Sequence, residues 1–116
     1  MNILNTSATI SRLPETEQRK AVYGLTHPAT CKKIIDLAGR TIHVDQWVIA
    51  EDVDGKTGEL RNVYYLKTEG EIYASISPTF GRQFNDIVEI FGDVEDIRIV
   101  TGKSKNGREF VTCELA

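Results

Sequence analysis

The chain has 116 residues, 41% of them hydrophobic and 27% charged, with a formal net charge of −3. That length and composition fit one soluble domain with a core of its own, needing neither metal nor disulfide to fold. They exclude a membrane-spanning helix, because no apolar run reaches the required length. They also exclude a uniformly basic protein that clings to nucleic acid with its whole surface.

Residues 1–12 are small and polar with scattered Ile and Leu, and read as an arm or a short strand. They lack the apolar stretch of a signal peptide, so the expected compartment is the cytoplasm. Pro14 opens a helix over residues 15–23, with Glu early, Arg19 and Lys20 later, and Gly24 as its stop. A second helix fits residues 28–38, with Pro28 at its first position, an apolar side of Ile34, Ile35 and Leu37, and Gly39 closing it. Residues 1–39 thus form a helical leader that packs on or beside the domain of residues 40–116, extends a ligand path, or joins protomers.

From residue 40 the pattern turns to strands. Residues 40–51 form one long run rich in Thr, Ile, Val and Trp, and residues 52–58 a polar loop with two glycines. Residues 59–67 are a second strand and residues 71–76 a third. Between them Thr68-Glu69-Gly70 is a three-residue hairpin loop, with Gly at its left-handed position. Ser77 then caps a helix with Pro78 at its first position. Phe80, Phe84, Ile87, Val88 and Phe91 make a single apolar stripe along it, and Gly92 ends it. Residues 94–101 and 109–115 are the last two strands.

Three strands, a helix and two more strands are the element order of the OB-fold, a mainly β, partly open five-stranded Greek-key barrel. Another small α+β sheet has the same order and is the alternative. A three-residue loop pairs Lys67 with Glu71, Leu66 with Ile72, Tyr65 with Tyr73 and Tyr64 with Ala74. Leu66, Ile72, Tyr64 and Ala74 then point inward, while Arg61, Val63, Tyr65, Lys67, Tyr73 and Ser75 point outward. With Glu51 opposite Glu59, Trp47 faces Val63 on that same outer side. Trp47, Tyr65 and Tyr73, edged by Arg61 and Lys67, would form an open surface on which bases of any identity stack. The alternative is an ordinary cross-strand tyrosine pair with Trp47 in the core, and a bulge in the first strand would flip Trp47.

The strongest local feature is the run from Arg98 to Arg108. It carries four basic residues, Arg98, Lys103, Lys105 and Arg108, and no acid, around a turn of Gly, Ser, Asn and Gly. A flexible cationic finger between paired strands suits a polyanion, because each cation near a phosphate releases counterions. Phe110 follows it and serves either core burial or base stacking. Lys32, Lys33 and Arg40 make a weaker basic group that reads as a solvated helix face. Asp86, Glu89, Asp93, Glu95 and Asp96 lie away from the binding side.

The stretch Thr101-Gly102-Lys103-Ser104-Lys105-Asn106-Gly107-Arg108-Glu109-Phe110 resembles the C-terminal motif of small single-stranded-DNA-binding proteins of tailed phages that infect Gram-positive hosts and prime replication with a protein. The helical leader, Thr57-Gly58-Glu59 and the Tyr-x-x-Ile-Ser stretch from Tyr73 to Ser77 are similar too, so the resemblance covers roughly residues 40–116. It implies a phage replication protein that coats displaced single strands without sequence preference, in the host cytoplasm and beside replication proteins. The chain closes at Glu114-Leu115-Ala116, without the long linker and acidic tip by which cellular counterparts recruit partners, so recruitment by a tail is not expected. The competing expectation is an OB-fold interaction module docking on a host or replication protein.

Little points to catalysis. His27 reads as a cap or surface group and His43 as a residue of the first strand, and no Cys and His set has metal-ligand spacing. No Walker-type phosphate loop is present. Glu51, Asp52 and Asp54 lack the rest of a calcium loop. Neither a cofactor nor an enzymatic activity is expected. Cys31 and Cys113 have no CxxC spacing and are expected as reduced thiols, with one disulfide as the alternative.

Overall fold

The computed structural model describes residues 1–92 and 96–116. Its element order is β1 (Asn2–Thr6), α1 (Ala8–Ser11), α2 (Glu15–Thr26), β2 (Lys32–Lys33), a 3₁₀ turn (Ile34–Leu37), β3 (Thr41–Ile42), β4 (Gln46–Val53), β5 (Leu60–Thr68), β6 (Glu71–Ser75), α3 (Pro78–Phe91), β7 (Ile97–Lys103) and β8 (Glu109–Leu115). The molecule is mainly β. One sheet has the strand order β1-β4-β5-β6-β2, the other β3-β7-β8.

The leader departs from its expected form in two places. Gly24 does not stop α2, which runs to Thr26. The second helix does not form: Lys32 and Lys33 add a short parallel strand beside Tyr73 and Ala74 of β6. Only Ile34–Leu37 turns, and it turns as a 3₁₀ segment because Ile34 and Leu37 both dive into the core. β1 is the short strand that residues 1–12 offered as one expectation, and it pairs with β4 across a bulge at Leu4. The leader therefore straps the central sheet, with a strand on each outer edge and helices across one face. β1 and β2 are the edge strands of this sheet, both short, which limits the unpaired edge that invites aggregation.

The long first strand is broken as well. Residues 43–45 separate β3 from β4, so one stretch of chain serves both sheets: β3 pairs with β7 and β4 with β5. β4 also runs on to Val53, into the stretch expected as loop. Trp47, Val48, Ile49 and Ala50 are all buried, since this strand is covered on both faces. Trp47 and Ile49 join Tyr64, Leu66, Tyr73, Phe80, Phe84 and the inner residues of β7 and β8 in the main core. Val48 and Ala50 join Val63 and Tyr65 under Ile10 and Leu25 of the leader.

Helix α3 forms as its stripe predicts. Ser77 Oγ accepts from the Phe80 amide, Pro78 opens the first turn, and Gly92 caps the end at φ 72°. Phe80 and Phe84 are fully buried and meet Tyr64 and Trp47 edge-on. Gly81 is favoured by packing, because a Cβ there would collide with the Tyr64 ring. The expected start of the next strand at Val94, and the acids Asp93 and Glu95, lie outside the described residues. The last strand runs Glu109–Leu115 as expected.

Candidate nucleic-acid interface

The expected three-ring surface does not exist. The β5–β6 loop has two residues rather than three: Thr68 pairs with Glu71, while Glu69 and Gly70 turn at φ 53° and 76°. Positive φ at both central positions marks the tight hairpin turn whose twist matches the strands. Dropping one loop residue slides the register, so Tyr73 sits opposite Leu66 and Tyr65 opposite Ala74. Tyr73 thereby turns to the main core, and Ile72 and Ala74 turn to the leader side. On β4, Trp47 pairs with Leu66 and Glu51 with Asn62, displacing the expected Val63 and Glu59 partners. Trp47 is 1% exposed, Tyr73 7% and Tyr65 9%. Burial pushes the Tyr65 hydroxyl up from its usual pKa.

The cations assigned to that surface are dispersed too. Arg61 Nη1 rests 3.4 Å from Asp54 Oδ2. Asp54 is held below the usual carboxylate range mainly by the Lys56 and Thr57 amides, with a smaller contribution from Arg61. Lys67 is half-buried beside Ile72, on the leader side. Arg98 pairs with Glu114 at 2.8 Å, at the far end of its hairpin from the tip. His43 Nδ1 lies 2.7 Å from Asp96 Oδ1.

The hairpin tip is a built element. The Ser104 amide donates to the Arg108 carbonyl at 2.8 Å, and the Gly107 amide donates to the Ser104 carbonyl at 2.9 Å. The Arg108 amide donates to Ser104 Oγ at 3.3 Å. Lys103, Lys105 and Arg108 are exposed on this turn, which Ser104 closes with its backbone and side chain. Phe110 pairs with Gly102 across the strands, and a Cβ at Gly102 would come within 2.6 Å of the Phe110 ring. The bare glycine leaves room for the half-buried ring against the neighbouring strand.

Phe110 also forms one wall of a groove of about 470 Å³ between β6 and β8. The opposite wall is made by Ala74, Ile76, Lys33 and Ile35, and Glu109 contributes the one acidic lining residue. Ile76 is 53% exposed. The groove exists because β6 and β8 do not pair: β8 ends its sheet, and β2 covers β6 only at Tyr73 and Ala74. Ser77 Oγ, 3.4 Å from the Val111 carbonyl, ties its floor. Of the other members of the weaker basic group, Lys32 is engaged by Glu71 at 3.4 Å and Arg40 by Glu69 at 3.2 Å. The sequence reading placed Lys33 on a solvated helix; it lies on β2 in the groove wall. Its Ile34-Ile35 neighbours were the signal, since two adjacent apolar residues after two lysines suit a strand edge better than a polar helix face.

Among the described residues no group of three or more His, Cys, Asp or Glu could hold a metal. Both cysteines are free thiols, and burial pushes Cys113 up to about 12. No described helix is long and apolar enough to cross a membrane. The chain matches no protein-family model, no curated protein and no solved structure.

Proposed function

We propose that this chain is a partly open OB-fold that binds single-stranded DNA without sequence preference, coating strands displaced during phage replication. The element order after the leader supports the OB assignment. So does the interrupted stretch β3–β4, which pairs with β5 on one side and β7 on the other, as the first strand of a Greek-key barrel does. The gap between β6 and β8 is the barrel's open seam.

The observation that carries the function is Phe110. A half-buried ring set against Gly102 stands in a groove with Lys33, directly after a closed turn bearing Lys103, Lys105 and Arg108. A ring offered on edge strands stacks on any base for about 1–3 kcal/mol, and cations beside it follow the phosphates. Nothing in the arrangement reads a base edge, which fits sequence tolerance. The buried rings Trp47, Tyr65 and Tyr73 hold up the sheet and take no part.

Four phosphate contacts give an expected slope of log affinity against log salt of about −3 for a single strand, a loss of about 50-fold between 50 and 200 mM. Anisotropy of a labelled oligothymidylate measures this. The Lys103→Ala/Lys105→Ala/Arg108→Ala variant should bind far more weakly, with a slope near −0.7. Salt-independent binding, or an unchanged slope in the variant, would refute the proposal. The second reading, a protein-interaction module, draws on the free outer edge of β8 beside the apolar groove, where an extended peptide can add as a strand. It predicts no oligothymidylate binding at any salt.

A further inference from the structure

A second groove, of about 550 Å³, meets the first at Ile76, which lines both. Its polar lining is Arg61, Asn62, Tyr64, Arg82 and Asn85, with Glu51 as its acidic member. Arg82 is exposed on α3, in a helix whose first turn carries no acid, and it has no ion-pair partner among the described residues. Arg61 gives one guanidinium nitrogen to Asp54, while its Nε is buried with no hydrogen-bond partner. Asn85 Nδ2 donates to the Tyr64 hydroxyl at 3.2 Å, which orients that amide and leaves its oxygen available.

We infer that this second groove carries the same polynucleotide onward past Ile76, with Arg82 and Arg61 holding backbone phosphate and Asn62 and Asn85 meeting sugar oxygens. This rests on the proposal that the first groove binds a single strand. The lining suits an anionic backbone carrying flat bases: two arginines outnumber one carboxylate, Asn62, Asn85 and Tyr64 add amide and hydroxyl groups, and Leu60, Ile76 and Pro78 supply an apolar part. Continuity at Ile76 favours one strand over two independent ligands, since an exposed aliphatic side chain at the junction gives a base a surface to rest on.

Length dependence tests it. Labelled oligothymidylates of about 4 and about 12 nucleotides, within the range that one OB-fold engages, are titrated by anisotropy at several salt concentrations. The wild-type 12-mer should show a steeper salt slope than the 4-mer. Arg82→Ala should weaken the 12-mer by about 3- to 10-fold and flatten its slope by about 0.7. It should leave the 4-mer unchanged, and Arg82→Lys should restore most of the 12-mer loss. Because Arg82 is exposed, circular dichroism should show an unchanged fold. The hairpin triple variant should lose both oligonucleotides. If wild type binds both but Arg82→Ala matches it on the 12-mer, or loses the 4-mer equally, the extended path is wrong while the first groove stands. If wild type binds neither, the first groove's proposal fails and the extension with it.

Discussion

The hairpins β5–β6 and β7–β8 look alike as sequence: each sets aromatic and basic residues around a glycine-containing turn. They end in opposite circumstances. On β5–β6, Tyr64 and Tyr73 face α3 and the second sheet, while Tyr65 lies under the leader, so every ring is buried. On β7–β8, Val111 and Cys113 face inward, but Phe110 lies against Gly102 and lines the groove between β6 and β8. Whether a ring is available to a ligand is decided here by what covers the sheet from far along the chain. The alternation within the hairpin only decides which cover it meets.

The contrast breaks most sharply on stability. Trp47→Ala should cost about 3–5 kcal/mol, since it empties a fully buried site against Phe84. Urea denaturation of the hairpin triple variant should differ from wild type by less than about 0.5 kcal/mol, because its side chains are exposed. A Trp47→Ala protein as stable as wild type would mean that the central sheet is not the core.

The reverse holds for affinity. Phe110→Ala should weaken oligothymidylate binding by about 1–3 kcal/mol. Tyr65→Phe, which keeps the buried ring and removes only its hydroxyl, should leave titration curves unchanged. A loss with Tyr65→Phe and none with Phe110→Ala would swap the roles of the two hairpins.

The smallest effect separates the two thiols. Iodoacetamide at about pH 8 should label exposed Cys31 and spare Cys113, buried on the inner side of β8. The Cys113 thiol is raised from 9.0 to about 12 by burial. The unfolded chain therefore ionises first, and the contribution of this thiol to stability should be intact below about pH 9 and fall as pH rises toward 12. Thermal melts across that interval measure it. Labelling of Cys113 in the native protein would mean that β8 opens readily.

What was legible in the sequence was what local chemistry determines. The Phe80, Phe84, Ile87, Val88 and Phe91 stripe with Ser77, Pro78 and Gly92 specified α3, and the turn at Ser104 and Gly107 specified the last hairpin. The cations Lys103, Lys105 and Arg108 could be found because they lie together in sequence. The three-ring surface was misread because one loop residue at Thr68 reverses the parity of Tyr73, and because the cover over Tyr65 comes from Ile10 and Leu25, 40 or more residues away in the chain. The four-residue apolar run Trp47-Val48-Ile49-Ala50 was the available warning, since a strand with one wet face alternates. Lys33 and Arg82 were missed because each reaches its groove only through tertiary packing.

The central claim is that a single strand lies in the seam beside Phe110 and not on the face of the central sheet. Amide chemical-shift mapping with oligothymidylate tests it most directly. The expected perturbations fall on residues 33–35, 74–77 and 102–111, with the amides of α2 and of residues 48–50 unmoved. Shifts concentrated on α2 and β4, with the last hairpin silent, would contradict it.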